Sequence, residues 1–112
     1  MKYTISDEPK QYQIVTGTRK TGYTTIETVT GVRVEIEGYK KYEFFLHELE
    51  QWGFRVSEKT TGASISDMDW YPSKEEAVKI ACKCLRNHGK KLFEHLRQGL
   101  IEKYGEVNEK HS

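Results

Sequence analysis

The sequence predicts an α+β fold, an antiparallel β-meander of five to six strands followed by one long or two short C-terminal helices packed on one face. Three observations predict it. Val32, Val34 and Ile36 alternate strictly with Arg33, Glu35 and Glu37, the period of a half-buried strand. Gly53 to Glu58, then Thr61-Gly62, then Ala63 to Ser66 reads as strand, tight turn, strand. Pro72-Ser73 followed by Glu76 is a capping box ahead of an apolar stripe at helical spacing.

The elements follow in order. Asp7-Glu8-Pro9-Lys10 closes a short leader. Tyr12 to Thr18 alternates and forms the first strand, with Gly17 to Gly22 as a turn carrying Arg19 and Lys20 at its tip. Thr24 to Val29 is rich in β-branched residues and returns as the second arm of a hairpin, punctuated by Gly31. Val32 to Ile36 is the next strand, turned by Gly38-Tyr39-Lys40. Residues 41–52 fit a helical stripe and a strand equally well. The adjacent Phe44-Phe45 and the strands on both sides favour a strand over 41–47. Val78, Ala81, Cys82 and Leu85 form the buried stripe of the C-terminal helical part.

Whether that helix stops at Asn87-His88-Gly89 is open at this level. Asn-x-Gly is a stop signal. The stripe nevertheless stays in phase across it, through Gly89, Leu92, Leu96, Gly99 and Lys103. An unbroken helix over 74–104 runs about 46 Å. Its end would overhang a domain of this size and need a partner, such as a second copy of the chain. Gly105 ends the helix in either case. Residues 1–105 form a single domain and 106–112 a flexible polar tail.

Composition sets further bounds. At 112 residues, 36% apolar and 12% aromatic, the chain is one domain whose aromatics supply much of the core volume. Net charge is +1, so no global field draws it to nucleic acid. The charge is uneven: residues 1–72 carry 9 Lys/Arg against 11 Asp/Glu, and residues 73–112 carry 9 against 6. Cys82 and Cys84 point to opposite sides of a helix and cannot bridge, which fits reduced thiols and a cytoplasmic setting. No apolar run reaches the roughly 20 residues of a membrane span, and Met1 to Glu8 lacks a signal peptide's apolar stretch.

The sharpest functional hint is cationic. On a continuous helix Lys79, Lys83, Arg86, Lys90 and Arg97 fall within about 60° of one another, a row suited to phosphates or an acidic protein surface. Glu76 and Glu94 dilute the row, and a break at Gly89 would remove Arg97 from it. Trp70 and Tyr71 are a candidate aromatic anchor for a partner, or a seal at the sheet–helix junction.

Several catalytic and metal patterns fail on inspection. His47-Glu48-Leu49-Glu50-Gln51 has Gln where a zinc protease needs its second His. Cys84 and His88 are at most half a metal site, with His95 a turn further on. Gly17 to Gly22 has phosphate-loop spacing without the Lys-Ser/Thr pair that should follow. Asp67-Met68-Asp69 offers a hard cation too few oxygens. No nucleophile–base–orienter set is legible, so the expectation is a protein without catalysis, metal or cofactor.

Tyr42-Glu43-Phe44-Phe45-Leu46-His47, Gly53-Phe54-Arg55-Val56-Ser57-Glu58 with Thr61-Gly62, and Ser73-Lys74-Glu75-Glu76-Ala77 resemble small proteins of phages and mobile elements of Gram-positive bacteria. Those share an aromatic strand, a W-x-V-S-E-x-x-T-G hairpin and a T-K-K-E-A helix start. Here Phe54 stands for the Trp and Ser73 for the Thr. The resemblance covers residues 40–85 and implies a phage or prophage origin. From it follows the expectation of a non-catalytic interaction protein, binding a host or phage macromolecule and suited to inhibiting a bacterial defence system. The alternative is a nucleic-acid-binding module using the basic helical face. Sheet–helix units also occur in the arm-binding domains of phage integrases, although Glu35, Glu37, Glu43 and Glu48 make these strands acidic for entry into DNA.

Overall fold

The computed structural model describes residues 2–17, 24–49, 52–65 and 70–108. Strands β1 (Tyr3–Gly17), β2 (Thr24–Ile36), β3 (Phe44–Leu49) and β4 (Gly53–Glu58) precede a single helical element, α1 (Lys74–Tyr104). The sheet runs β1-β2-β3-β4 with every neighbouring pair antiparallel. The α+β meander therefore stands, with four strands among the described residues in place of five or six.

The missing strands have physical explanations. The expected strands at 24–29 and 32–36 are both parts of β2, because Gly31 lies inside it, paired with Lys10 and His47. A Cβ on Gly31 would sit 2.9 Å from the Leu46 carbonyl oxygen, so this glycine permits close approach of β3 and marks no turn. The acidic leader also joins β1. Between Ile5 and Pro9 the register shifts, with four steps along β1 against two along β2. Pro9 follows this irregularity on an edge strand, a position where a missing N–H is tolerated. Residues 63–65 form no strand. They contribute one bridge, Ser64 opposite Ser57, and two main-chain bonds to β4, from Glu58 N–H to the Ala63 carbonyl and from Ile65 N–H to the Val56 carbonyl. The predicted turn around Arg19 and Lys20, Ser66, and the Asp67-Met68-Asp69 stretch lie outside the described residues.

β3 occupies Phe44–Leu49 where 41–47 was expected, and over Phe44 to His47 both its faces are buried. Phe44 and Leu46 face α1 in a core with Val34, Ile36, Val56, Val78 and Leu85. Phe45 points the other way, into a second core with Tyr12, Ile14 and Val29. Its ring stacks on Tyr12 with centroids 4.0 Å apart. That contact, and a bond from Val15 N–H to the Gly62 carbonyl at 3.0 Å, bring edge strand β1 round to the end of β4. The sheet thus curls towards closure.

The seam is closed by residues beyond Gly105. Asn108 accepts from Gln13 N–H and donates to the Gln13 and Lys59 carbonyls, each at 2.7 Å. Val107 N–H donates to the Thr60 carbonyl at 2.8 Å. The first part of the expected loose tail is therefore docked, and 109–112 lie outside the described residues.

α1 starts where the sequence places it, with Ser73 Oγ accepting from Glu76 N–H at 3.2 Å. It breaks at Gly89, whose φ of 77° and ψ of 163° are non-helical. Glycine adopts that φ without the cost a side chain would bring. The break settles the open question. A straight helix over 74–104 would be about 46 Å long, whereas the largest extent of the described chain is 35 Å. Its second half turns back, and Phe93 joins Tyr39, Tyr42 and Phe44 in an aromatic cluster. Tyr39 Oη closes the bend by donating to the Leu85 carbonyl at 2.9 Å. Among the described residues no helix is long and apolar enough to cross a membrane.

Candidate interaction face

The first half of α1 buries Ala77, Val78, Ala81, Cys82 and Leu85 against the sheet. Helical geometry then forces the opposite residues into solvent. Lys79, Lys83 and Arg86 are all exposed there. Among the described residues, no ion pair involves any of them. Glu75 and Glu76, favoured by the helix dipole, border this row at its N-terminal end. Lys90 lies just past the break. It is exposed, with Nζ 6.0 Å from the Tyr39 ring centre.

Arg97 does not belong to the row. The bend at Gly89 carries it inward, where its side chain is 18% exposed and surrounded by acceptors. Nε donates to Glu58 Oε1 at 3.2 Å, Nη1 to Glu94 Oε1 at 3.1 Å and Nη2 to Thr60 Oγ1 at 3.1 Å. Its guanidinium also lies 5.1 Å from the Tyr42 ring centre. Glu58 is 2% exposed and also accepts from Thr60 N–H at 2.6 Å and Thr61 N–H at 3.1 Å. Tyr42 Oη donates to Glu94, and burial followed by that bond pushes the phenol up to about 12. The Gln98 and Tyr42 bonds hold the Glu94 carboxyl below its ordinary range. This network ties the second half of α1 to the end of β4, and its cation is used up internally.

The aromatic pair divides as well. Tyr71 is 8% exposed and exchanges two main-chain hydrogen bonds with Phe54, at 2.7 and 2.8 Å, so it seals the sheet–helix junction. Trp70 is half-buried on the other face of the sheet. The Arg55 guanidinium lies 4.7 Å from its ring centre and the His47 ring meets it edge-on at 5.5 Å.

One nucleophile–base pair escaped sequence reading: His47 Nε2 and Ser57 Oγ are 2.9 Å apart on adjacent strands. Its members lie ten residues apart with no motif to link them. Both are closed off, at 2% and 1% exposure. Burial, then the nearby Arg55 charge, lowers the imidazole from 6.5 to about 4. Among the described residues its Nδ1 has no hydrogen-bond partner and no carboxylate orients the ring. The geometry can hold a serine in place but offers a substrate no approach. The zinc-protease pattern fails here too, because His47 and Glu48 lie on opposite faces of β3.

Two concavities were also missed, since each joins segments far apart in sequence. A polar cleft of about 560 Å³ lies between Lys10, Gln13, Glu43, Lys59 and Asn108. Tyr12 Oη donates to Glu43 there at 2.8 Å, and Lys59 and Arg33 approach the same carboxylate at 3.8 and 3.9 Å. An apolar groove of about 510 Å³ runs between Ile65, Leu85, Phe93, Leu96 and Leu100. Trp52, 67% exposed beside β4, is a further aromatic the sequence did not single out.

No family model, no curated protein and no solved structure matches the chain.

Proposed function

We infer that this is a non-catalytic interaction protein that engages a macromolecule through the outward face of the first half of α1. One observation carries the reading: Lys79, Lys83 and Arg86 stand exposed in a row that no ion pair of the described residues neutralises. Arg97 and Tyr71 drop out of the binding surface because both have internal partners. Lys90 extends the row across the bend, and Trp70 is a contact of the opposite face.

A protein surface bearing carboxylates is the preferred partner. Glu75 and Glu76 border the cations and would face a phosphate backbone unfavourably, while a mixed protein surface can match both signs. With the resemblance over residues 40–85, this fits a phage-borne protein that captures a host factor, including a component of a bacterial defence system, in the cytoplasm. Nucleic acid is the second reading, favoured by the spacing of the three cations along one helical face.

The test is capture from bacterial lysate on the immobilised protein, with and without nuclease, by the natural chain and by the Lys83→Glu/Arg86→Glu variant. A protein captured by the natural chain in both lysates and lost by the variant supports the first reading. Capture abolished by nuclease, with steep loss as salt rises, supports the second. Capture unchanged by the charge reversal refutes both.

A further inference from the structure

We propose that the second half of α1 carries a self-complementary surface through which two copies of the chain pair antiparallel. The overhang of a straight helix is not the basis, since the break at Gly89 removes it. The basis is what the bend leaves outside. Phe93 and Arg97 face inward, and at 100° per residue Leu92, Leu96, Gly99 and Lys103 then fall within about 60° of one another beside them. Leu92 and Leu96 are 42% and 49% exposed, and a Cβ on Gly99 would meet nothing within 4 Å. Two apolar knobs and one vacant notch therefore share a single stripe, whose Leu96 and Gly99 lie on the rim of the apolar groove.

A two-fold axis matches such a stripe to itself, because an isologous contact pairs a knob of each copy with the other copy's notch. Placing Leu96 over Gly99 of a second copy fixes the register. The same axis then sets Leu92 against the aliphatic stem of Lys103. The flank agrees in charge. Lys91, His95 and Glu102 lie along one side of the stripe, and all three are exposed. In this register Glu102 falls between Lys91 and His95 of the second copy, twice over by symmetry. The occupant that fits both shape and charge is thus another copy of this chain. Four turns of helix make a small interface, with a dissociation constant on the order of 10 µM. This surface is separate from the Lys79-Lys83-Arg86 row, so the two proposals fail independently.

Sedimentation equilibrium from about 1 to 300 µM tests it. The expected weight-average mass rises from the 13.1 kDa monomer towards twice that value. Leu96→Glu abolishes the rise. That side chain is half-exposed, and a circular dichroism spectrum matching the natural chain verifies folding. Glu102→Lys and Lys91→Glu each weaken association about tenfold, and the double variant restores it. Lys83→Glu leaves it unchanged. A natural chain that stays monomeric throughout the range overturns the proposal, as does a dimer indifferent to Leu96→Glu. A double variant no better than its parents overturns the antiparallel register.

Discussion

Replacing Arg97 with Met keeps the aliphatic stem and deletes the cation, so it isolates what the guanidinium does. Three hydrogen bonds vanish, to Glu58, Glu94 and Thr60. Glu58 keeps two amide donors but loses its buried counter-ion while remaining 2% exposed. Breaking a buried pair by removing one partner costs about 3–5 kcal/mol, because the stranded charge keeps its desolvation penalty. At about 4 °C per kcal/mol for a chain of this size, Tm falls by about 12–20 °C. Lys83→Met, in the same nominal cation row, changes stability by less than about 0.5 kcal/mol. Urea unfolding of both variants measures the contrast. Adding Glu58→Gln to Arg97→Met recovers part of the loss, since the stranded charge is gone. An Arg97→Met variant as stable as the natural chain would falsify the inward placement of this side chain.

Other perturbations have defined outcomes. His47 stays neutral in the folded chain down to about 4, while in the unfolded chain it protonates near 6.5. The unfolded state therefore binds more protons between those values, and stability falls on acidification through that window by up to about 3 kcal/mol. His47→Gln flattens this slope in urea titrations from pH 7 to 4.5; an unchanged slope contradicts the burial argument. Asn108→Ala deletes three hydrogen bonds that hold β1 to the 59–60 turn and destabilises by about 2 kcal/mol. Its local signature is faster hydrogen exchange at the Val15 amide, which donates to Gly62 across the same seam. Unchanged protection at Val15 would show that Asn108 does not close it.

Local chemistry made part of this fold legible. The Ser73 cap, the alternation from Val32 to Ile36 and the buried stripe from Val78 to Leu85 are written within a few residues each, and they lie where their periodicity puts them. What failed depended on long-range contact. Gly31 reads as punctuation until Leu46 is seen packed against it. Asn108 reads as tail until Gln13 is beside it. Gly89 is the instructive case, because both readings of it had local support. The unbroken stripe through Leu92, Leu96 and Gly99 argued for continuity, yet those residues remain on the outside, and the core takes Phe93 instead. The candidate site inherits that outcome. Its first three cations were legible from helical spacing alone. Arg97 was misplaced because its destination, Glu58, lies 39 residues away on β4.

The break at Gly89 decides which cations face outward, so a distance across it is the most direct measurement. Spin labels at Lys79 and Lys103, diluted with unlabelled chain, would lie about 36 Å apart along a straight helix. With the helix bent at Gly89, the distance distribution centres well short of that value, with Lys103 folded back towards the sheet. A distribution centred at the straight-helix separation would return Arg97 to the outer row and contradict the division between structural and exposed cations.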